Sequence, residues 1–408
     1  MATRQRSRII IFDDGLGQLG PMTDLRASFE LRTGMHTTAA RIVALRPRTL
    51  AGYWVPSHLA AVVSARANAP VNVLPDEETL CCVNGRWALP DERLDLAPGE
   101  AIAEEGSGHI VAAHLRRADA EYFLTTRELH ERTRIRRVAQ RLLYKYPWDV
   151  MALLKRAIPH DILSVRLLEA KVPARGDVLG HHPVEVHRSA TIGPNVVFDA
   201  EAGPIVVHEE AVVRPNVVLC GPCSIGRQST VTAGAQIKAN TVIGPVCKVG
   251  GEIGGTIFQG YANKSHDGHL GDSWVGKWVN FGAGTTNSNL LNTYGEVTMR
   301  VEADGPRHRT GLQFLGAIVG DHVKTAIGTR IMTGSVIGTG AMLAATAAPP
   351  ASVRRFAWLA DSGEHVYQYG KFVTVMKEMM SRRGESPDEA YLALLKQLHT
   401  EAAERSGT

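Results

Sequence analysis

The chain repeats an aliphatic residue every six positions, and this period limits its fold more than any other feature. The repeat is unbroken from Val207 to Val249 and returns from Val319 to Leu343. A small or compact residue usually stands four places after each of these opening residues, as Ala235 does after Val231. A helix has a period of about 3.6 residues and a strand alternates with a period of two. The six-residue period therefore predicts short strands that turn at regular corners, as in a parallel β-solenoid.

Both positions of the repeat can be read directly from the chain. The opening residues are Val207, Val213, Leu219, Ile225, Val231, Ile237, Ile243 and Val249, then Val319, Thr325, Ile331, Ile337 and Leu343. The residues in the fifth places are Ala211, Val217, Cys223, Ser229, Ala235, Thr241, Cys247 and Ile253, then Val323, Thr329, Ser335, Ala341 and Ala347. We expect the openers to point into a triangular prism, with turn formers such as Gly244-Pro245 at its corners.

Solenoids with this repeat resemble the left-handed parallel β-helix acyltransferases, which usually act as trimers with sites between neighbouring prisms. Similar solenoids also serve as carbonic anhydrases or as inert spacers. The repeat therefore predicts the architecture and leaves the chemistry to particular side chains.

The remaining sequence divides into parts on either side of the solenoid. Residues 1–124 have the pattern of a mixed α/β domain, with strands at Arg8 to Phe12 and Leu80 to Val83, a strand-like run at Val71 to Leu74, and a helix near Leu25 to Leu31. Residues 125–180 are predicted to be a helical linker, residues 181–350 the β-helix and residues 351–408 a helical extension that packs on the prism or its neighbour. The stretch Leu290 to Gly311 is predicted to form a hairpin.

Composition narrows the class of partner. The chain has 408 residues, a net charge of +4 and 21% charged residues, which is ordinary for a globular protein and too weakly basic to indicate nucleic-acid binding. The one basic cluster, residues 127–141, mixes its charges with acidic and apolar residues at helical spacing, and we interpret it as a solvated helix face. The short apolar run Ile9 to Phe12 predicts neither a signal peptide nor a membrane span, so a cytoplasmic location is expected. Cys223 and Cys247 occupy inward repeat positions, which favours a core role over metal or redox chemistry.

The repeat breaks at a polar stretch that runs from Asn263 to Asp272 and is followed by an amide-rich block from Asn280 to Asn289. A solenoid leaves its register where it projects a loop, and loops carry function disproportionately. The two stretches resemble the acetyltransferase half of the bifunctional N-acetylglucosamine-1-phosphate uridyltransferase/glucosamine-1-phosphate N-acetyltransferase family. The family's blocks G-H-L-T-Y-L-G-D, N-I-G-A-G-T and C-N-Y-D-G match here at the same spacing and without a gap.

This resemblance assigns roles to four residues. It implies that His266 is the catalytic histidine, that His269 takes the place of a substrate-contacting tyrosine, and that Asn280 and Asn289 bind the substrate. The residue types suit acyl transfer from acetyl-CoA to a sugar amine, because a histidine that titrates near neutrality can accept the amine proton. Amide side chains suit sugar hydroxyls, since each offers a donor and an acceptor without a charge.

The chain departs from the family pattern at the sugar phosphate. The family's paired lysines fall on Gly254 and Gly255. Lys264, Lys238 and Arg214 are the candidate replacements. The acceptor is accordingly expected to be an amino-sugar phosphate or a nucleotide-linked amino sugar of unspecified identity.

The first domain resembles sugar nucleotidyltransferases more loosely. Its loop from Asp13 to Gly20 follows a strand, as the family's G-x-G-T-R-M loop does, but lacks that motif. The short first domain, the run from Pro21 to Gly34 and the P-W-D helix resemble the alternative bacterial version of the bifunctional enzyme. Arg26 and Arg32 are candidate phosphate contacts, and Asn84-Gly85 falls where this fold holds its metal aspartate.

The difference in motif quality predicts unequal activities. Asp13-Asp14 opposes a phosphate by like-charge repulsion unless Mg²⁺ intervenes, so Mg²⁺ is the candidate metal of the first domain. We therefore expect acyl transfer to be the stronger activity and nucleotidyl transfer to be weak, altered in specificity or absent.

Two other functions stay open at this point. One is a non-catalytic trimer that binds a sugar nucleotide or serves as a scaffold. The other is a zinc-dependent enzyme of the carbonic-anhydrase solenoid type, for which His266, His269 and His322 are the available ligands. The leading prediction is a homotrimeric transferase of nucleotide-sugar biosynthesis for the cell envelope, with a small sugar phosphate or nucleotide sugar as substrate and no membrane or nucleic-acid partner.

Overall fold

The computed structural model describes residues 7–47, 49–164, 170–171 and 177–406. The chain forms two compact units. The first comprises Met1–Gln18, Leu25–Leu31 and His36–Lys145, and the second comprises Leu19–Asp24, Arg32–Met35 and Tyr146–Thr408.

The first unit is a mixed six-stranded sheet with three helices. Its strands are β1 (Arg8–Phe12), β2 (Leu50–Trp54), β3 (Thr79–Asn84), β4 (Glu100–Glu104), β5 (Ile110–Arg116) and β6 (Arg134–Val138), and its helices are α1 (Thr38–Leu45), α2 (Ser57–Ser64) and α3 (Arg117–Thr126). The strand order is β2-β1-β3-β5-β4-β6. β1 runs parallel to β2 and β3, whereas β5 is antiparallel to β3 and β4. The order β2-β1-β3 makes the carboxyl ends of β1 and β3 a topological switch point, where open α/β sheets bind ligands.

The strand predictions for β1 and β3 are confirmed, but two others in this domain are wrong. Residues 25–31 contain only a 3₁₀ turn at Ser28–Glu30, because carboxylates take the backbone donors that a helix would use. Asp13 accepts from the Ser28 N–H at 2.6 Å, and Glu30 accepts from the Ala27 N–H at 2.8 Å. The run Val71 to Leu74 makes only an isolated bridge, between Val71 and Tyr53.

The basic cluster at residues 127–141 is also not a helix. It contains β6, an edge strand that pairs in parallel with β4 and exposes its side chains. Charged side chains on an edge strand hinder pairing with other chains, which explains the arginines there. The first unit consequently extends to Lys145, past the predicted boundary at residue 124. The helix of the predicted linker is α4 (Pro147–Ser164), and residues 165–169 and 172–176 of that linker lie outside the described residues.

The second unit contains the parallel β-solenoid that the repeat predicts. After α4 its strands are β7 (Ala170–Lys171), β8 (Asp177–Gly180), β9 (Val184–His187), β10 (Thr191–Ile192), β11 (Val197–Ala200), β12 (Ile205–Val207), β13 (Val212–Val213), β14 (Val218–Cys220), β15 (Cys223–Ile225), β16 (Thr230–Val231), β17 (Gln236–Ile237), β18 (Thr241–Ile243), β19 (Lys248–Val249), β20 (Glu252–Gly254), β21 (Ile257–Phe258), β22 (Asn263–Lys264), β23 (His269–Gly271), β24 (Trp274–Val275), β25 (Thr286–Asn287), β26 (Thr298–Arg300), β27 (Arg307–Arg309), β28 (Ala317–Val319), β29 (Lys324–Thr325), β30 (Arg330–Ile331), β31 (Ser335–Ile337), β32 (Met342–Leu343), β33 (Ser352–Val353), β34 (Ala357–Ala360) and β35 (Gly363–Val366). Two helices follow, α5 (Tyr369–Ser381) and α6 (Glu389–Ser406).

The solenoid strands stack into three faces. Face A is β7-β9-β12-β15-β18-β21-β24-β28-β31-β33, face B is β8-β11-β14-β17-β20-β23, and face C is β10-β13-β16-β19-β22. Neighbouring strands pair in parallel within the faces, except that β7 is antiparallel to β9. β29, β32 and β34 form a further parallel stack, which β35 closes in antiparallel pairing.

The repeat residues form one continuous apolar core. All the openers are buried, and so are the fifth-place residues except Ala347, which lies in the exposed stretch before β33. The fourth place of a hexad has a left-handed backbone at Asn216 and Asn240, with φ of 61° and 59°. Asparagine and glycine tolerate that conformation better than other residues do, so the corner composition follows from the coil geometry.

Two predicted additions to the solenoid are present. β26 and β27 form an antiparallel hairpin within the predicted stretch from Leu290 to Gly311. The tail packs on its own prism, since the Arg383 guanidinium donates to the Asn263 side chain at 2.6 Å. The tail is not wholly helical, because β33 and β34 extend the stacks before α5 begins. Among the described helices, none combines the length and hydropathy that a membrane crossing requires.

We predict that Leu219→Ala destabilises the solenoid by about 2–5 kcal/mol, because it removes a fully buried inward side chain and leaves a cavity. Val218→Ala is the matched control, since Val218 is the adjacent, partly exposed residue of β14. Calorimetry should show a lower melting temperature for the Leu219 variant and a much smaller change for the control. Equal shifts in both variants would contradict the inward packing.

Candidate functional site

The loop that carries His266 leaves the prism between β22 on face C and β23 on face B. Its position is held by Lys264, whose ammonium group donates to the carbonyls of Gly250, His266 and Asp267 at 3.2, 3.0 and 3.0 Å. Lys264 is only 2% exposed, and burial lowers its pKa to about 8. Lys264 thus holds the loop from inside.

A second contact holds the same loop from the coil above. The Thr232 hydroxyl donates to the Ser265 carbonyl at 3.3 Å. This hydroxyl packs against Gly250, where the Cβ of any other residue would lie 2.1 Å from the hydroxyl oxygen, so the contact requires glycine. The first three residues of the loop are therefore held by their carbonyls, while the His266 side chain is exposed to solvent.

His269 lies on face B in a row of polar side chains. It pairs with Glu252 across β20 and β23, and its Nδ1 lies 3.3 Å from the Glu252 carboxylate. Lys238 forms an ion pair with the same carboxylate. Hydrogen bonding from Lys238 lowers the pKa of Glu252, so this carboxylate is charged near neutral pH. A neutral His269 that donates from Nδ1 to Glu252 keeps Nε2 as an acceptor.

Asn289 joins this row from the block after the loop. Its amide donates to the Asp272 carboxylate at 2.6 Å, and burial raises the pKa of Asp272. Gly271 permits this arrangement, because a Cβ there would lie 2.5 Å from His269 Nε2 and 2.7 Å from Asn289 Nδ2. The structure thus brings His269 and Asn289 together over one glycine.

Asn280 lies elsewhere. It forms isolated bridges with Asn263 of β22 and with Lys324 of β29, which places it beside face C. Its side-chain oxygen accepts from the Asn263 amide at 3.4 Å, and Arg383 of the tail binds the Asn263 oxygen. A single chain therefore does not place Asn280 in the row that contains His269 and Asn289.

The structure changes the status of the candidate phosphate ligands. Lys264 is buried and bonded to carbonyls, and Lys238 is paired with Glu252. Arg214 is exposed at a corner of the prism, after β13. Of these three residues, Arg214 alone has a side chain that is exposed to solvent and is not paired with a carboxylate in the part of the chain that the structure describes.

The histidine set considered for zinc does not converge. His322 is buried and its Nε2 lies 2.7 Å from the Tyr391 hydroxyl of α6. Within residues 7–47, 49–164, 170–171 and 177–406, no group of three His, Cys, Asp or Glu side chains is arranged to hold a metal ion. The core role of the repeat cysteines is confirmed: Cys223 and Cys247 are free, buried thiols, and burial raises the pKa of Cys247 to about 12.

A second polar centre lies in the first unit, at the carboxyl ends of β1 and β3. Asp14 follows β1, and Arg86 follows β3; the Arg86 guanidinium donates to both Asp14 oxygens, at 2.9 and 2.5 Å. Asn84 donates to Asp14 at 2.8 Å. Burial pushes the pKa of Asp14 upward, but the hydrogen bonds and charge of Arg86 outweigh it and hold this pKa below its usual value.

Arg86 is the functional candidate that the sequence interpretation missed. The available signal was its position two residues after Asn84, at the end of a buried strand beside the strand that precedes Asp13-Asp14. Of the arginines that were singled out, Arg26 is buried in the first unit, with 3% exposure. Arg32 belongs to the second unit, where its backbone N–H donates to the Gln259 side chain at 2.8 Å.

Comparison with known proteins finds similarity to sugar nucleotidyl transferases and to bifunctional enzymes that include one. Residues 9–167 match the family model described as sugar nucleotidyl transferase. The chain is 32% identical over 106 residues to a bifunctional sugar-1-phosphate nucleotidylyltransferase/acetyltransferase of Sulfurisphaera tokodaii, a match that covers 26% of each chain. It is 34% identical over 113 residues to the bifunctional protein GlmU of Methanococcus vannielii, covering 27% of each chain. It is 31% identical over 111 residues to the GlmU of Gloeobacter violaceus, covering 26% of this chain and 24% of the relative. The matched stretch thus spans about a quarter of the length of these relatives.

We predict that Lys264→Met loosens the His266 loop while the prism stays folded. The variant keeps the apolar stem but loses three hydrogen bonds from a charged donor, each worth about 1.5–3 kcal/mol. Hydrogen exchange at the amides of residues 266–268 should accelerate by about tenfold or more. Lys248→Met, which changes an exposed lysine of β19, is the control and should leave exchange in the loop unchanged. Unchanged exchange in the Lys264 variant would show that this lysine does not hold the loop.

Proposed function

We propose that the protein acts on an amino sugar at two sites. Two observations support this proposal: residues 9–167 match the sugar nucleotidyl transferase family model, and the second unit contains a parallel β-solenoid. At the solenoid, an acetyl group passes from acetyl-CoA to the amine of an amino-sugar phosphate or a nucleotide-linked amino sugar. The first unit binds the nucleotide and the sugar phosphate for nucleotidyl transfer, which is the weaker of the two activities. This proposal places the protein in nucleotide-sugar biosynthesis.

The observation that carries the acyl-transfer proposal is the held loop with exposed His266, which leads directly into the row of polar side chains on face B. Transfer requires a neutral amine, and His266 accepts its proton as nitrogen attacks the thioester carbon. The new C–N bond forms, the C–S bond breaks, and the thiolate of coenzyme A leaves. No covalent enzyme intermediate is required, because the amine attacks the thioester directly. Cys223 and Cys247 are buried inside the prism and are not available as nucleophiles.

The row on face B suits the hydroxyls of the acceptor. His269 offers Nε2 as an acceptor because Glu252 binds Nδ1, and Asn289 offers its carbonyl oxygen because its amide donates to Asp272. An amide such as that of Asn289 binds hydroxyls without the cost of desolvating a full charge. As a hydrogen-bond acceptor, His269 can therefore replace the tyrosine hydroxyl that contacts substrate in the acetyltransferase family that this segment resembles.

A homotrimer accounts for the position of Asn280. Asn280 lies beside face C, whereas His269 and Asn289 lie on face B. In a cyclic trimer, face B of one copy approaches face C of the next copy. In that arrangement the neighbouring copy supplies Asn280 to the site.

We expect His266→Ala to lower the rate of acyl transfer by about 10²–10⁴-fold, the usual effect of losing a general base. The measurement is thiol release from acetyl-CoA with amino-sugar phosphates at saturating concentrations. His182→Ala, at an exposed histidine of the same solenoid, is the control and should retain the full rate. A nearly unchanged rate in the His266 variant would remove this residue from the mechanism, and an inactive wild-type protein would contradict acyl transfer itself.

The proposed sharing of Asn280 predicts an assembly of three copies. Light scattering coupled to size-exclusion chromatography should give a mass about three times that of one chain under native conditions. A stable monomer with full acyl-transfer activity would refute this arrangement.

A further inference from the structure

The carboxyl ends of β1 and β3 are where a divalent cation would be expected to bind in the first unit. Mg²⁺ prefers oxygen ligands, and the available ones are the carboxylates of Asp13 and Asp14 and the side-chain oxygen of Asn84. All three side chains are buried, with exposures of 6%, 8% and 0%. Whether they fit a cation depends on what their oxygens already bind.

Every one of these oxygens accepts a hydrogen bond from the protein. Asp14 Oδ1 accepts from Arg86 Nε and the Leu16 N–H, and Asp14 Oδ2 accepts from Asn84 Nδ2 and Arg86 Nη2. The two Asp13 oxygens accept from the N–H groups of Gly15 and Ser28, at 2.9 and 2.6 Å. The Asn84 oxygen accepts from the Arg86 N–H at 3.0 Å.

The guanidinium of Arg86 already compensates the negative charge of Asp14. Its side chain is 1% exposed, and besides Asp14 it contacts the Tyr144 carbonyl at 2.6 Å and His109 Nδ1 at 3.2 Å. A cation bound to Asp14 would either lie beside this guanidinium or displace it. Displacement would leave a buried positive charge without its counter-ion, which is strongly unfavourable.

We propose that the guanidinium of Arg86 takes the charge-neutralising place of a divalent cation at this edge, so that the first unit binds its nucleotide or sugar-phosphate ligand without metal. This inference rests on the proposed function of the first unit as a nucleotide-binding domain. It also removes the repulsion that Asp14 would otherwise exert on a phosphate, because the ion pair with Arg86 is neutral overall.

The candidate phosphate-binding surface is then the loop that follows Asp14 in the chain. Gly15, Leu16 and Gln18 are exposed there. Asp13 and Asp14 shape the start of this loop, since they accept from the N–H groups of Gly15 and Leu16. The loop is therefore held in place before any ligand arrives, which favours binding without a metal bridge.

Phosphoryl transfer, by contrast, uses metal ions to neutralise charge that develops on the phosphates. A site with this arrangement favours binding over transfer, in agreement with the weaker nucleotidyl-transfer activity proposed above.

Calorimetric titration of the full-length protein with UTP and with UDP-N-acetylglucosamine tests this inference. Affinity in excess EDTA should match affinity in excess Mg²⁺ within about twofold, a difference of less than 0.5 kcal/mol by the usual conversion of about 1.4 kcal/mol per tenfold. A tenfold or greater loss in EDTA would overturn the metal-free site while leaving nucleotide binding by the domain intact. Absence of binding in both buffers would contradict the proposed function of the first unit, and this inference with it.

A metal-binding readout gives a second test that does not depend on the ligand. Arg86→Met frees the Asp14 carboxylate, so electron paramagnetic resonance should show Mn²⁺ bound by this variant beyond the level of the wild-type protein. Arg93→Met is the matched control, because it frees Asp91 at a half-exposed ion pair of the same unit and should gain no site. Wild-type protein that binds Mn²⁺ and loses it in Asp14→Asn would contradict the inference, even if the Arg86 variant does not fold.

Discussion

The inward packing of one aliphatic residue per hexad is the constraint on which the second unit depends. Each coil places its openers in a core that continues from Val186 to Leu359, and burial of such side chains is worth about 1.5–3 kcal/mol each. Because the core fixes where every corner lies, it also fixes where a loop can leave. The loop with His266 begins at the end of β22 and rejoins the prism at β23, so two core strands determine its ends.

Buried charges then decide which polar groups remain available to a ligand. Lys264 and Arg86 are both buried cations, but they are compensated differently. Lys264 is bonded to three carbonyls and shapes a loop, whereas Arg86 is bonded to a carboxylate and neutralises it. In each case the cation is committed to the protein and does not present its charge to a ligand.

The repeat made the solenoid predictable, because a six-residue period is the direct consequence of its coil. The strands, the buried openers, the insertion hairpin and the helices of the tail follow from patterns within a few neighbouring residues. The candidate site was predictable only in part. The pairing of Glu252 with His269 depends on the register between β20 and β23, and the pair formed by Asp14 and Arg86 joins residues that are 72 positions apart. The helix prediction for Leu25 to Leu31 was wrong for the same reason, because the Ser28 N–H donates to Asp13, which lies outside the segment. Local periodicity carries no information about such contacts.

We propose that the two units differ in catalytic activity and that acyl transfer at the solenoid is the faster reaction. The most direct test gives the purified protein amino-sugar phosphates with acetyl-CoA, and in parallel sugar 1-phosphates with nucleoside triphosphates and Mg²⁺, and measures free thiol and pyrophosphate. This account predicts rapid thiol release with at least one amino-sugar phosphate and slow or undetectable release of pyrophosphate. Robust pyrophosphate release without thiol release from any amino sugar would contradict it.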